Sequence, residues 1–271
     1  MNSFGPIVSP DWLRDHLRDP DVRVIDFRWS LRGPGREAYE QGHIPGAVFV
    51  DLEDVTGTEG GGRHPLPTGA QLTAEMRKAG VDSDTKVVVY DDAGGSIAAR
   101  LWFVLRWYGH QTVAVLDGGI QAWGGPLDTV VPSELPGDFG WREPDRSKVL
   151  DFEAVSRLTG ATLLDARAGE RYRGEHEPVD PKAGHVPGAR SAPWMENLGP
   201  DGRFKSPAEL RQHFAALGAD KDNAVVYCGS GVNACHDLLA MELAGLAARL
   251  YAGSWSDWSS RDLPIATGKD P

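Results

Sequence analysis

Ala224-Val225-Val226-Tyr227-Cys228-Gly229-Ser230-Gly231-Val232-Asn233 is the stretch on which the fold of this chain turns. Four apolar or β-branched residues read as a buried strand, and the apolar stretch from Ala234 to Leu243 reads as a helix, so Cys228 falls where a strand ends and a helix begins. Successive backbone N–H groups of a glycine-rich loop turn inward, and a helix N-terminus adds partial positive charge. An anionic sulfur placed there is stabilised without any basic side chain. Position alone is equally compatible with a small hydrophobe packed in a turn.

Working outward from that loop, an internal repeat emerges. Val24-Ile25-Asp26-Phe27-Arg28, Gly42-His43-Ile44-Pro45-Gly46-Ala47, Val87-Val88-Val89-Tyr90-Asp91 and Gly118-Gly119-Ile120-Gln121-Ala122-Trp123 mark the first half. Leu163-Leu164-Asp165-Ala166-Arg167, Gly184-His185-Val186-Pro187-Gly188-Ala189, Ala224-Val225-Val226-Tyr227-Cys228 and Gly253-Ser254-Trp255-Ser256-Asp257-Trp258 mark the second. The landmarks recur in order at offsets between 135 residues (Gly118 to Gly253) and 142 (Gly42 to Gly184), as a duplication with loop insertions leaves them.

Amphipathic segments at Ala70 to Ala79 and Ser206 to Leu217, closed by Gly80 and Gly218, alternate with the short apolar runs. That alternation predicts an α/β fold: two tandem domains, each a mostly parallel sheet flanked by helices. The expected boundaries are a first domain over residues 1–135, a linker over 136–150 and a second domain over 151–271, with the Pro- and acid-rich stretch from Leu127 to Ser147 marking the join. Cys228 lies at the carboxyl end of a strand, where such sheets place their sites. Asp91 stands at its counterpart, so one half carries the nucleophile and the other keeps only the architecture.

Composition narrows the function classes. The chain has 271 residues, 41% of them hydrophobic and 25% charged, as in an ordinary globular protein. A formal net charge of −11 disfavours nucleic acid and anionic membrane surfaces as partners. The N-terminus from Met1 shows no leader pattern and no run long enough to span a membrane, so a cytoplasmic location is expected. Two cysteines, Cys228 and Cys235, make no disulfide framework, and on one helix they would stand about 10 Å apart. No Cys or His spacing suits a metal, and no cofactor is expected.

The Asp-x-Arg and Gly-His-Ile/Val-Pro-Gly-Ala elements in both halves, the glycine-tryptophan ending and a cysteine loop in the second half alone resemble a tandem-domain rhodanese, a sulfurtransferase. The resemblance spans essentially the whole chain. It implies two rhodanese-like domains and a Cys228 persulfide intermediate. The neutral loop Cys228-Gly229-Ser230-Gly231-Val232 is more similar to that of 3-mercaptopyruvate sulfurtransferases than to the cationic Cys-Arg-Lys-Gly loop of thiosulfate sulfurtransferases. Asn233 departs from the usual Thr but is expected to cap the helix through its side chain.

The same resemblance implies a Ser230, His64 and Asp51 relay reaching between the halves, in which a carboxylate orients an imidazole and the imidazole tunes a hydroxyl. It implies donor contacts from Arg171 and from Gly229, Gly231, Val232 and Asn233. A second arginine, nine residues after the first in many mercaptopyruvate enzymes, is replaced by Asp180, which leaves Arg173 or Lys182 as substitutes. The implied partners are a small sulfur donor and a thiol, thioredoxin-like or cyanide acceptor.

Several residues read as architecture. His43 and His185 recur in both halves, including the one without cysteine, and suit a structural turn. Asp26 with Arg28, and Asp165 with Arg167, suit pinning of an adjacent loop. Arg171 also allows a plain ion pair with Glu170 or Glu175, and Cys235 a buried place on its helix. Two rivals remain: a rhodanese-related phosphatase, whose loop needs a closing arginine where Asn233, Ala234 and Cys235 stand, and a persulfide carrier that docks a partner protein and turns over free donors poorly.

Overall fold

The computed structural model describes residues 4–31, 33–133, 135–221 and 223–271. Met1, Asn2 and Ser3, on which part of the leader reading rests, lie outside the described residues. The chain divides into two compact units. The first comprises the chain up to Gly57 with Pro67–Pro144 and Asp201–Arg203; the second comprises Thr58–Leu66, Asp145–Pro200 and Phe204–Pro271. A nine-residue segment from the first half of the sequence, carrying Gly60-Gly61-Gly62-Arg63-His64, is therefore part of the second unit.

Each unit holds one five-stranded parallel sheet. In the first unit the strands lie in the order Ile7–Val8, Val113–Leu116, Lys86–Tyr90, Val22–Asp26 and Val48–Phe49. In the second the order is Ala189–Ser191, Thr162–Asp165, Ala224–Tyr227, Ala248–Tyr251 and Val149–Leu150. Numbered within its own unit, each sheet runs 1-5-4-2-3, read from opposite edges. The sequence repeat is thus a repeat of topology. In both, the strand that feeds the Asp91 or Cys228 loop is central and paired on both sides, which is why its residues read as an unbroken apolar run rather than an alternating one.

The amphipathic segments form helices Gly69–Lys78 and Pro207–Ala216. Both open on a capping box, Thr68 with Gln71 and Ser206 with Glu209, which satisfies two otherwise unpaired helix N–H groups. Each bears its apolar residues on one face: Leu72 and Met76 are buried in the first, Leu210 and Phe214 in the second. Val225, Tyr227, Tyr251, Trp255 and Trp258 form the centre of the second core; cutting back one such large side chain costs about 3–5 kcal/mol.

Asp26 and Arg28 form a buried ion pair, and Arg28 Nη2 also donates to Gly42 O at 2.8 Å. Arg167 repeats this with Asp165 and Gly184 O, the latter at 2.6 Å. The two arginines therefore pin the Gly-His turns. His43 and His185 are fully buried, stacked on Tyr39 and Tyr172, with Nδ1 at 2.8 Å from the carbonyls of the same tyrosines.

The stretch expected to join the domains begins as an ordered part of the first unit. Gly137 N–H donates to Arg77 O, Phe139 N–H to Val81 O and Arg142 N–H to Tyr108 O, and the Phe139 ring is buried. Gly137 fits because a Cβ there would lie 2.1 Å from Val81 O.

Candidate active site

Cys228 follows the central strand Ala224–Tyr227 directly, and the ten-residue helix Ala234–Leu243 begins after Asn233. The loop between them is held from behind. Cys228 N–H donates to Ser254 Oγ at 3.1 Å, Cys228 O accepts from Trp255 N–H at 2.9 Å, and Gly229 O accepts from Ser256 N–H at 2.8 Å. Cys228 and Ser230 are buried, at 1% and 8% exposure. Gly231 takes a φ of +79°, a left-handed conformation that costs glycine little and turns the chain back toward the helix. Gly229 and Val232 are buried within the same turn.

Asn233 occupies the helix N-cap position, but its backbone is helical (φ −65°, ψ −23°) and its side chain makes no capping hydrogen bond. The expected side-chain cap is absent because a capping oxygen reaches back to the helix amides only from an extended backbone. Cys235 is fully buried, and its Sγ lies 3.3 Å from Gly231 O.

The first unit shows what such a loop does with an anion. Asp91, at the place corresponding to Cys228, is fully buried and turns its carboxylate into its own loop. Oδ1 accepts from Ala93 N–H at 3.0 Å and Gly95 N–H at 2.8 Å; Oδ2 accepts from Ile97 N–H at 2.8 Å and Ala98 N–H at 2.9 Å. Four backbone donors converge on one negative group with no cationic side chain among them. Ile120 N–H donates to Asp91 O at 2.9 Å, matching the bond from Trp255 N–H to Cys228 O.

One difference separates the two loop supports. At the place of Gly119 (φ +60°) the second unit has Ser254, whose φ of +54° is the only positive value among the described non-glycine residues. Its Oγ both accepts from Cys228 N–H and donates to Tyr251 O at 2.9 Å. The left-handed backbone delivers a hydroxyl to the Cys228 amide. Sequence reading passed over Ser254; the signal lay in the replacement of Gly-Gly-Ile by Gly-Ser-Trp between the halves.

His64 reaches the loop from the segment Thr58–Leu66: its Nδ1 is 2.8 Å from Ser230 Oγ, and both residues are buried. The glycines before it allow close packing. A Cβ on Gly61 would lie 2.2 Å from Asp257 Oδ1, and one on Gly62 2.4 Å from Gly253 O. Arg63 N–H donates to Ser256 Oγ at 3.1 Å. Asp51 lies in the first unit, where Oδ1 accepts from Glu53 N–H at 3.1 Å and opens a short 3-10 turn.

Arg171 comes from the one-turn helix Gly169–Tyr172. Its partners are neither Glu170 nor Glu175: Nε and Nη2 donate to Glu177 at 3.0 and 2.7 Å, and Nη2 to Asp180 Oδ2 at 3.1 Å. Burial raises the Glu177 carboxyl, yet the Arg171 bonds and the Asp180 and Val179 N–H groups carry it net below its ordinary value. Burial keeps Asp180 above its ordinary value although Arg63 and Arg171 pull the other way. Neither expected substitute stands at this cluster. Arg173 pairs with Glu175, and Lys182 Nζ donates to Arg261 O at 2.6 Å. Among the described residues no group of three or more His, Cys, Asp or Glu is placed to hold a metal ion.

Two copies of one parallel α/β unit, one with a cysteine and the other with an aspartate directly after its central strand, define a duplicated α/β protein. The rhodanese-like domain model matches residues 9–125 and 151–261, and the chain belongs to that family. It is 46% identical to the "Probable 3-mercaptopyruvate sulfurtransferase" of Pseudomonas aeruginosa, over 98% of this chain and 99% of that protein. The thiosulfate sulfurtransferase of Rattus norvegicus is 35% identical over 98% and 97% of the two chains. The crystal structure of SseA from Escherichia coli, a 3-mercaptopyruvate sulfotransferase, superposes with a TM-score of 0.82 at 33% identity, over 93% of this chain and 99% of that one.

Proposed function

We propose that this sulfurtransferase moves a sulfane sulfur from 3-mercaptopyruvate through a persulfide on Cys228 to a thiol or cyanide acceptor. The observation that carries the reading is the Asp91 carboxylate held by four amide N–H groups in the duplicate loop. Cys228 follows the equivalent central strand and its loop likewise leads into a helix, a setting that suits a thiolate and, after transfer, a persulfide anion.

In the first step the Cys228 thiolate attacks the donor sulfur. The new S–S bond forms as the donor C–S bond breaks, and the electron pair passes to carbon as the enolate of pyruvate. That enolate needs a proton, and the donor thiol has one to give. Ser230 and His64, 2.8 Å apart, are placed to pass it between them. In the second step an acceptor thiolate or cyanide attacks the outer sulfur and restores the Cys228 thiolate. Asp51 as orienting carboxylate, and Arg171 with Gly229, Gly231, Val232 and Asn233 as the donor seat, complete the proposal. A thioredoxin-like protein is a fitting acceptor, since it presents a low-lying thiolate to the outer sulfur.

Exchange of Cys228 for Ser tests the reading. The wild-type chain should gain the mass of one sulfur atom on Cys228 when mixed with mercaptopyruvate and lose it to a thiol, and Cys228→Ser should do neither. Higher kcat/KM with thiosulfate than with mercaptopyruvate would move the protein to the other donor class. Stable loading without release to small acceptors would make it a carrier. Among the described residues no helix is long and apolar enough to cross a membrane.

A further inference from the structure

The donor site reads as one guanidinium short, because Asp180 stands where a second arginine is expected. We propose that Arg63 supplies that guanidinium, and that Asp180 is the clamp that holds it beside Arg171 over the Cys228 loop. The inference deepens the reading given under Proposed function and rests on it for the identity of the donor.

Arg63 Nη1 forms an ion pair with Asp180 Oδ1, while Arg171 Nη2 donates to Asp180 Oδ2 at 3.1 Å. One carboxylate thus bridges two arginines through its two oxygens. Both cations converge on the residue next to the nucleophile: a Cβ built on Gly229 would lie 3.1 Å from Arg63 Nη2 and 3.4 Å from Arg171 Nη1. Glycine at 229 keeps that space clear. The Arg63 Nε is buried and has no hydrogen-bond partner among the described residues. A buried donor without an acceptor is costly, and an anionic oxygen of a bound donor would satisfy it. The Asp180 side chain is 2% exposed and that of Arg63 30%, so the clamp is enclosed while the cation it carries still meets solvent.

Two guanidinium groups at this spacing repel one another unless an anion lies between them. Asp180 supplies that anion, and with Glu177, which also pairs with Arg171, the four side chains carry no net charge. Such a cluster offers directed hydrogen bonds rather than excess positive charge, which suits a monoanionic carboxylate at one end of the donor and favours a dianion less than two unbridged arginines would. The bidentate geometry of guanidinium suits a planar carboxylate. The chemical class fixed by Arg63 is therefore a carboxylate-bearing sulfur donor, with a sulfonate-type donor such as thiosulfate as the competing source of anionic oxygens.

The test compares alkylation of Cys228 in the full-length protein by iodoacetate, which bears a carboxylate, and by neutral iodoacetamide, with the adduct located by peptide mass. The ratio of the two rate constants cancels any general change in thiol reactivity. Loss of a charged hydrogen bond predicts that Arg63→Gln lowers the ratio about tenfold or more, with Arg63→Lys in between. The KM for mercaptopyruvate should rise by a similar factor, with kcat moved much less. Asp180→Asn, which removes the clamp and lets the two guanidinium groups repel one another, should lower the iodoacetate ratio as Arg63→Gln does and lower kcat/KM for mercaptopyruvate. A wild-type ratio in both Arg63→Gln and Arg63→Lys, alongside loss of it in Arg171→Gln, would overturn the proposal. If the wild-type chain turns over neither donor, the sulfurtransferase reading falls, and the alkylation ratio still decides whether Arg63 binds a carboxylate beside Cys228.

Discussion

The Nδ1 of His64 lies 2.8 Å from the hydroxyl oxygen of Ser230, across 166 residues of sequence and within one compact unit. Both side chains are buried, so their hydrogen bond is shielded from competing water and the hydroxyl is held in one orientation.

Pyruvate leaves mercaptopyruvate as an enolate that must be protonated, whereas sulfite leaves thiosulfate as a stable anion. Ser230→Ala and His64→Gln should therefore lower kcat for mercaptopyruvate by roughly 10²-fold or more, the usual worth of a placed acid–base group. Persulfide formation from thiosulfate should change much less. Single-turnover loading of Cys228 with each donor checks this, and equal losses for the two donors would remove the proton-handling role.

Ser254 combines strain with two hydrogen bonds, one accepted from Cys228 N–H and one donated to Tyr251 O. Ser254→Ala keeps the strained backbone and loses both bonds, a cost of about 1–3 kcal/mol. Ser254→Gly also loses the bonds but relaxes the left-handed residue, which offsets roughly 1 kcal/mol. Denaturant midpoints should fall in the order wild type, Ser254→Gly, Ser254→Ala. The reverse order for the two variants would show that the backbone is not strained there.

In the first unit, Asp91→Ala would leave four inward-facing amides around an emptied cradle. The expected destabilisation is about 3 kcal/mol, within the range for buried donors that lose a charged acceptor. Asp91→Asn keeps one acceptor oxygen and should cost less. Urea titration of the two variants measures both.

Asp237, on the helix after the cysteine loop, is fully buried; Oδ1 accepts from Asn197 Nδ2 at 2.7 Å and Oδ2 has no partner. Burial raises its carboxyl well above the ordinary value of 3.8, outweighing the Asn197 bond. A group raised in the folded state contributes stability that is fully present below its unfolded pKa and is lost as pH rises toward the folded one. Asp237→Asn removes that loss, so the variant should gain on the wild type as pH rises. Unfolding free energies at pH 5 and pH 8 give the comparison, with the variant gaining on the wild type at the higher pH. A constant difference across that range would mean that Asp237 does not titrate there.

Much of this protein was legible from local order along the chain. The strand before Cys228 is apolar throughout because a central parallel strand is covered on both faces. The paired landmarks from Asp26 to Gly253 expose the duplication, since each marks a turn or a pin that any copy of the unit must keep. The place of Cys228 between a strand and a helix was legible because loop, strand end and helix start are contiguous in sequence.

What surrounds Cys228 was decided by packing alone. Nothing local in the sequence points from Arg63 to Asp180, and only the placement of Thr58–Leu66 with the second unit brings it there and to Gly229. The partners of Arg171, the backbone of Asn233 and the hydroxyl of Ser254 likewise depend on segments far apart in the chain. Periodicity records which face of an element is buried, so it fixes strands, helices and their order. Which charged side chain meets which is set by how loops settle on finished elements, and no period in the sequence encodes that.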